Sequence, residues 1–170
     1  MKTIFWNVDT QYDFMRPDGK LYVKGAEAIE DVLGGLTDLA RRKGIKVVNT
    51  ADWHTPQSTE ISNNPDFVTT FPPHCMQYTD GARFVPATHP ENPYRIQWAK
   101  DSFDVERVKN TRNIVLYKDK FDAFKGSPHT NKLVDVLAPE RAIVYGVATN
   151  VCVNDAVRGL LERKVDVYVP

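Results

Sequence analysis

Groups able to break an amide bond follow apolar runs along this 170-residue chain. Asp9 comes just after "TIFWNV" (3–8), Asp52 and His54 after "IKVVNT" (45–50), Lys118 ends "NIVLYK" (113–118), and Cys152 lies a few residues beyond "AIVYG" (142–146). A thiol at the start of a helix feels the positive end of the helix dipole, and a neighbouring ammonium favours its ionisation further. A carboxylate beside it can accept the thiol proton and later return one to a leaving group. Backbone N–H groups in the turn "GVATNVC", unsatisfied at a helix start, can hold an oxyanion. Singly, each residue has a plainer reading: a turn or cap for Asp9, a solvated strand-end charge for Lys118, an inert core thiol for Cys152. Together they describe an amide-cleaving cysteine hydrolase with Asp9, rather than a histidine, as base.

A second constellation reads as metal chemistry. Asp52 and His54, one residue apart after a strand, can place O and N ligands on the same side, and His74 in "FPPHC" can return to complete a divalent site. Glu60 could add an oxygen. A mixed O/N set suits zinc, manganese or iron, with zinc the first choice. Cys75, beside His74, is either a soft ligand or an inward-packing thiol, and the packing reading is preferred. His89 and His129 sit in polar, proline-flanked loops and read as solvated.

These residues need a frame. "TIFWNV" is an apolar, β-branched and aromatic run typical of a buried strand. Ala26, Ile29, Val32, Leu33, Leu36, Leu39 and Ala40 then recur at helical spacing, ended by "RRKG" at 41–44. Strands follow at 45–50, 113–118 and 142–146, with helices at 130–137 and from about Val151, and "VDVYV" (165–169) closes the chain as a strand. Trp98, in "YRIQWAKDSF", marks a further short strand. Alternation of strands and helices predicts an α/β fold, a three-layer α/β/α sandwich on a mostly parallel, Rossmann-like open sheet, expected to form a single domain over 1–170. In such sheets ligands bind outside the carboxyl ends of the strands, where Asp9, Asp52, His54, Lys118 and Cys152 would converge. The interval 51–112 breaks the rhythm and holds seven of the eleven prolines and three of the four histidines, the mark of a functional insertion.

Composition excludes other classes. With 22 Lys+Arg against 22 Asp+Glu the formal charge is zero, and no basic block offers a footprint for nucleic acid. No apolar run approaches the roughly 18 residues of a membrane span, and "MKTIFWNVDTQYDF" turns acidic and polar too soon for a signal peptide. The expectation is a soluble, cytoplasmic protein. Two cysteines, Cys75 and Cys152, are too few for a disulfide framework.

The ordered motifs "NVDTQYDF" (7–14), "TADWH" (50–54), "FPPHC" (71–75), "TDGARF" (79–84), "YKDKFDAF" (117–124) and "GVATNVCV" (146–153) make the chain resemble the isochorismatase-like cysteine hydrolases, and within them the nicotinamidases. The resemblance implies a triad of Asp9, Lys118 and Cys152. It implies a non-proline cis peptide at Val147–Ala148, with Val147 against the substrate and the N–H groups of Ala148 and Cys152 forming the oxyanion hole. It also implies a divalent ion on Asp52, His54 and His74, with Phe14 and Phe71 as aromatic walls, and hydrolysis of nicotinamide to nicotinate and ammonia through a thioester.

There are departures from the family pattern. Glu60 stands where many nicotinamidases place a histidine, and Phe71 where a tryptophan is common. Tyr78 replaces a usual glycine and Arg83 a usual acid, which points to an alternative substrate among other small amides, such as a carbamoyl or ureido compound. A further alternative is a non-catalytic α/β module that binds metal or a partner through the proline-rich insertion. The chain stops at "VYVP", short of the family's final loop and helix, so either it is truncated or one edge is covered by another subunit; the expected assembly is a homo-oligomer, a dimer or tetramer.

Overall fold

A computed structural model describes residues 1–170. Its centre is a sheet of six strands, β1 (Thr3–Val8), β2 (Val47–Asp52), β3 (Tyr94–Ile96), β4 (Asn113–Lys118), β5 (Arg141–Gly146) and β6 (Asp166–Tyr168). Spatial order is β3-β4-β2-β1-β5-β6, and every pairing is parallel. The helices are α1 (Tyr12–Met15), α2 (Glu30–Arg42), α3 (Val105–Asn110), α4 (Ala123–Gly126), α5 (Thr130–Leu137) and α6 (Asn154–Glu162). No helix is long and apolar enough to cross a membrane.

Strand alternation divides the core in two. Ile4, Trp6, Val8, Val48, Ile114, Leu116, Ala142 and Val144 pack on one face against Val108 of α3, Leu133 and Leu137 of α5 and Leu160 of α6. Phe5, Val47 and Tyr145 pack on the other against Leu33 and Ala40 of α2. Val115 and Tyr117, on the α2 side of β4, form a separate small cluster with Ala51 and Phe84. Here the 78–90 segment takes the place of a covering helix.

Several sequence expectations shift by a few residues. The helical pattern from Ala26 opens as a 3-10 turn, Ala26–Ile29, before α2, and α2 stops at Lys43 and Gly44 (φ +63°). The extra strand lies at Tyr94–Ile96, so Trp98 falls beyond it and donates its indole N–H to Trp53 O at 2.9 Å. The short helices α1, α3 and α4 were not foreseen, because four to six residues carry too little periodicity to register. His129 corrects the solvated reading: it is buried just before α5, with Nε2 2.7 Å from Lys100 O. His89 is exposed as expected.

Candidate active site

The chain runs from β1 to β2 on one side of the sheet and later crosses to β5 on the other side of β1, so the crevice beyond β1 and β5 is the topological switch point. Asp9 leaves β1 with φ +50°, in the left-handed region that a non-glycine residue occupies only where its surroundings enforce it. The enforcement is visible. Asp9 N–H donates to Thr50 O at 3.2 Å, Gln11 N–H to Asp9 O at 2.7 Å, and the Thr50 hydroxyl to Asp9 Oδ1 at 2.7 Å. Gly146, at the end of β5, has φ +129° and lies so close to β1 that a Cβ there would meet Val8 O at 2.0 Å. Only glycine allows this approach, which brings Val147, Ala148 and Cys152 to Asp9.

Lys118, last residue of β4, is fully buried, with Nζ 2.9 Å from Asp9 Oδ2, in contact with Asp52 Oδ1, and 3.1 Å from Lys120 O. Burying a lone cation costs several kcal/mol, and two carboxylates plus a carbonyl offset that cost here. Burial alone would discharge the ammonium, but Asp52 and Asp9 more than reverse this and hold it firmly charged. Burial works against the Asp52 carboxylate too, yet Lys118 and the neighbouring histidines keep it ionised, well below the usual range. Asp9 goes the other way: burial raises it, and Lys118 compensates only in part. Cys152 corrects the expectation of a ready thiolate. Burial pushes its thiol well above the ordinary value, Lys118 pulls it part of the way back, and Asp9 beside it favours the protonated form. The proton therefore rests on sulfur, next to a carboxylate whose basicity has been raised to receive it.

The Val147–Ala148 peptide is cis. Ala148 N–H has no acceptor within the protein, and Cys152 sits one turn on, in the wide turn Thr149–Val153 that leads into α6. The arrangement leaves a backbone donor without an internal acceptor within one turn of the sulfur.

Asp52, His54 and His74 form one buried group whose ligand atoms lie within 4.8 Å of one another. Their positions follow from backbone pairing: His54 N–H donates to Cys75 O at 3.1 Å and Gln77 N–H to His54 O at 2.9 Å, which returns the 71–77 segment to the end of β2. Gln11 holds Asp52 from behind, accepting Asp52 N–H and donating to Asp52 O, each at 2.8 Å. His54 Nε2 and His74 Nε2 stand 3.6 and 3.5 Å from Asp52 Oδ2, too long for hydrogen bonds. They are close to the roughly 3.3 Å that separates ligands about 2.0–2.1 Å from a tetrahedral ion. His54 Nε2 is buried without a partner, and His74 Nδ1 lies 2.8 Å from Pro72 O, which as an N–H donor leaves Nε2 free. The donor set thus fits a divalent cation. Glu60 does not join the trio: its Oε2 accepts Phe121 N–H at 2.9 Å, and burial, with Asp52 adding, pushes it up to about 7.

Two supporting residues escaped the sequence reading. Asp119 Oδ1 lies 3.3 Å from His54 Nδ1 and is itself bonded by the Ser58 hydroxyl, a carboxylate–histidine relay that orients the ring. Asp13 accepts Cys75 N–H at 2.7 Å and fills the space where a Cβ on Gly81 would stand, locking "FPPHC" against "TDGARF". Only their place inside the quoted motifs could have flagged them. Asp119→Ala is expected to weaken divalent-cation binding at the trio by about 10–100-fold, measured with zinc as the probe ion by competition with a chromogenic chelator. Unchanged affinity would mean that packing alone sets the His54 ring.

A cavity of about 180 Å³ joins these parts, walled by Phe14, Leu21, Val23, Phe71, Phe121 and Val147, with Asp52, His74, Ala148 and Cys152 on its lining. Phe14 and Phe71 flank His74, with ring centroids 5.4 and 6.2 Å from it. Cys75 packs inward, fully buried with Sγ 3.8 Å from Gly81 O. Tyr78 and Arg83 do not reach this cavity; they line a different one, so they cannot select its substrate as the sequence reading supposed.

Comparison with known proteins agrees with this architecture. The isochorismatase domain matches residues 3–170. The nicotinamidase/pyrazinamidase of Mycobacterium tuberculosis is 30% identical over 93% of this chain and 80% of its own length. Among solved structures, the pyrazinamidase of Pyrococcus horikoshii in complex with zinc superposes with a TM-score of 0.76 at 24% identity, covering 99% of this chain and 83% of the other. The N-carbamoylsarcosine amidase of Thermoplasma acidophilum does so at 0.74 and 20%, covering 99% and 81%. With a buried thiol, carboxylate and ammonium at the switch point of an all-parallel sheet, and the family's domain spanning nearly every residue, the chain belongs to the isochorismatase family of hydrolases.

Proposed function

We propose that the protein is a cysteine amidohydrolase acting on nicotinamide, with Asp9, Lys118 and Cys152 as catalytic residues. The observation that carries this reading is the cavity itself. At about 180 Å³ it is slightly larger than the roughly 150 Å³ void that accepts benzene, so it suits one six-membered ring with a small substituent. Phe14, Phe71 and Val147 hold the ring, and the carboxamide faces Cys152. The Mycobacterium tuberculosis relative, a nicotinamidase/pyrazinamidase, supports the substrate class. The zinc complex of the Pyrococcus horikoshii protein supports zinc as the ion on Asp52, His54 and His74. When bound, that ion supplies a Lewis acid for the ring nitrogen.

Asp9 accepts the proton of Cys152 as the sulfur attacks the carboxamide carbon. The C=O electron pair moves to oxygen, where the N–H groups of Ala148 and Cys152 receive the charge. Lys118 keeps its own proton throughout and limits the build-up of negative charge around sulfur and Asp9. Asp9 then passes its proton to the amide nitrogen as the C–N bond breaks and ammonia leaves, giving a thioester. A water molecule delivers a proton to Asp9 and hydroxide to the carbonyl carbon. Collapse expels the sulfur, which takes its proton back from Asp9, and the nicotinic acid released gives its own proton to ammonia in solution, leaving nicotinate.

The testing experiment is ammonia release from nicotinamide, pyrazinamide, benzamide and an N-carbamoyl amino acid. Nicotinamide should exceed benzamide, which lacks the ring nitrogen, in kcat/KM. Preference for the carbamoyl compound would sink the reading. A pH profile tests the base. Asp9 must be ionised to accept the thiol proton, and burial raises its carboxyl, so kcat/KM should fall with decreasing pH at values above the ordinary aspartate value of about 3.9. Glu60, pushed up to about 7, titrates nearby, so the limb should persist in Glu60→Gln. An acid limb at or below about 4 in that variant would remove Asp9 as base.

A further inference from the structure

A second cavity, of about 400 Å³, opens on the side of the sheet that α2 leaves uncovered. Its floor is Val115 and Tyr117 of β4 together with Trp53, whose side chain alternates with those of Asp52 and His54 and so points away from the catalytic cavity. Trp53 stacks on Tyr117 with centroids 4.5 Å apart and 27° between planes, and Tyr78 meets Trp53 edge-on at 5.4 Å. Arg83, Arg95 and His89 supply the polar rim. The one acid there, Asp80, is taken by Arg83 at 3.1 Å. Arg95, on the same rim beside Tyr117, takes part in none of the protein's salt bridges, so no carboxylate compensates its charge.

Tyr78 makes this surface unusual. Its ring is 88% exposed, and its backbone has φ +65°. A non-glycine residue there costs on the order of 1–2 kcal/mol, and the chain recovers little of that by burial. Strain retained in order to hold an aromatic ring in water beside a cationic rim points to a use for the ring.

We propose that this cavity binds a planar aromatic ring bearing an anionic group, of mononucleotide size, with the ring against Trp53 and Tyr78 and the anion at Arg95. The size follows from a volume more than twice that of the catalytic cavity, beyond what one substituted ring fills. The chemistry follows from aromatic faces that stack on any base and guanidinium groups that pair with phosphate or carboxylate. The seat is also tied to the catalytic side. Trp53 O accepts N–H groups of Gln77 and Trp98, and Ala82 O accepts the Gln11 amide that holds Asp52.

The test is tryptophan fluorescence of the full chain titrated with AMP, with benzoate and with inorganic phosphate. AMP should quench saturably and phosphate alone should not. Comparison of AMP with benzoate separates a nucleotide from a simple aromatic acid. Tyr78→Gly, which suits the left-handed backbone and should keep or raise Tm, is expected to weaken binding by about tenfold, within the range for one base–aromatic contact. Arg95→Gln should weaken it similarly and flatten its salt dependence. Absence of saturable quenching by AMP and benzoate, phosphate quenching as well as AMP, or unchanged affinity in both variants would overturn the proposal. Tyr78 and Arg95 lie outside the catalytic cavity, so the two variants separate binding here from binding of an aromatic acid beside Cys152.

Discussion

Cys152→Ala is expected to reduce kcat for ammonia release by at least about 10⁴-fold while leaving nicotinate affinity within about threefold of the parent. The size of the loss follows from the covalent route. Without sulfur no thioester forms, and the backbone donors and the bound ring are left to assist water alone, as in other hydrolases stripped of their nucleophile. Binding survives because the walls of the cavity are Phe14, Phe71, Phe121 and Val147, none of which depends on the thiol. The check is a paired measurement, steady-state ammonia release and calorimetric titration with nicotinate. Activity within 100-fold of the parent would exclude Cys152 as nucleophile, whereas loss of both activity and binding would indicate a packing role.

Lys118→Met is expected to abolish turnover and to destabilise the fold by about 3–5 kcal/mol at pH 7. That is a large share of the roughly 5–15 kcal/mol available to a domain. The methionine fills most of the space, so the cost is electrostatic: Asp9 and Asp52 lose the cation they share, and both are fully buried. The pH dependence has a definite sign. In the parent, Lys118 holds Asp52 well below its unfolded value of about 3.9, a contribution present above that value and lost as pH falls through the folded one. In the variant, burial raises both carboxyls instead, so the folded state must take up protons at neutral pH. The stability difference between parent and variant should therefore be greatest near pH 7 and shrink towards pH 4. Urea unfolding at pH 7 and pH 5 measures this, and equal stability at pH 7 would show that the carboxylates do not rely on Lys118.

The frame of the site was legible because strands and helices announce themselves by period. "TIFWNV" and "NIVLYK" match β1 and β4 residue for residue, since buried parallel strands are continuous apolar runs with little else to be confused with. "IKVVNT" begins two residues before β2, because Ile45 N–H is still tied to Ala40 O at the end of α2 and the strand register starts at Val47, while Ala51 and Asp52 continue the ladder to Lys118. His129 differs from its sequence context: polar, proline-flanked neighbours read as solvent, whereas its ring packs edge-on against Phe103, 5.6 Å between centroids. Their place in the motif assigns Tyr78 and Arg83 to the substrate, yet no residue of 78–84 lines the catalytic cavity, and both side chains line the cavity over β4 instead. Sequence proximity does not tell on which side of a segment a side chain emerges.

What the sequence determined by itself is the order of the longer strands and helices and the presence of an acid, a base, an ammonium and a thiol at strand ends, because those depend on local period and residue type. What only the tertiary structure decided is the protonation that makes them a set. Lys118 is a cation, Asp52 an anion and Cys152 a neutral thiol because burial, the contact of Lys118 with both carboxylates and the close approach of β5 to β1 combine at one point. Electrostatic energy at that point scales with distance and dielectric, and neither quantity is written along the chain.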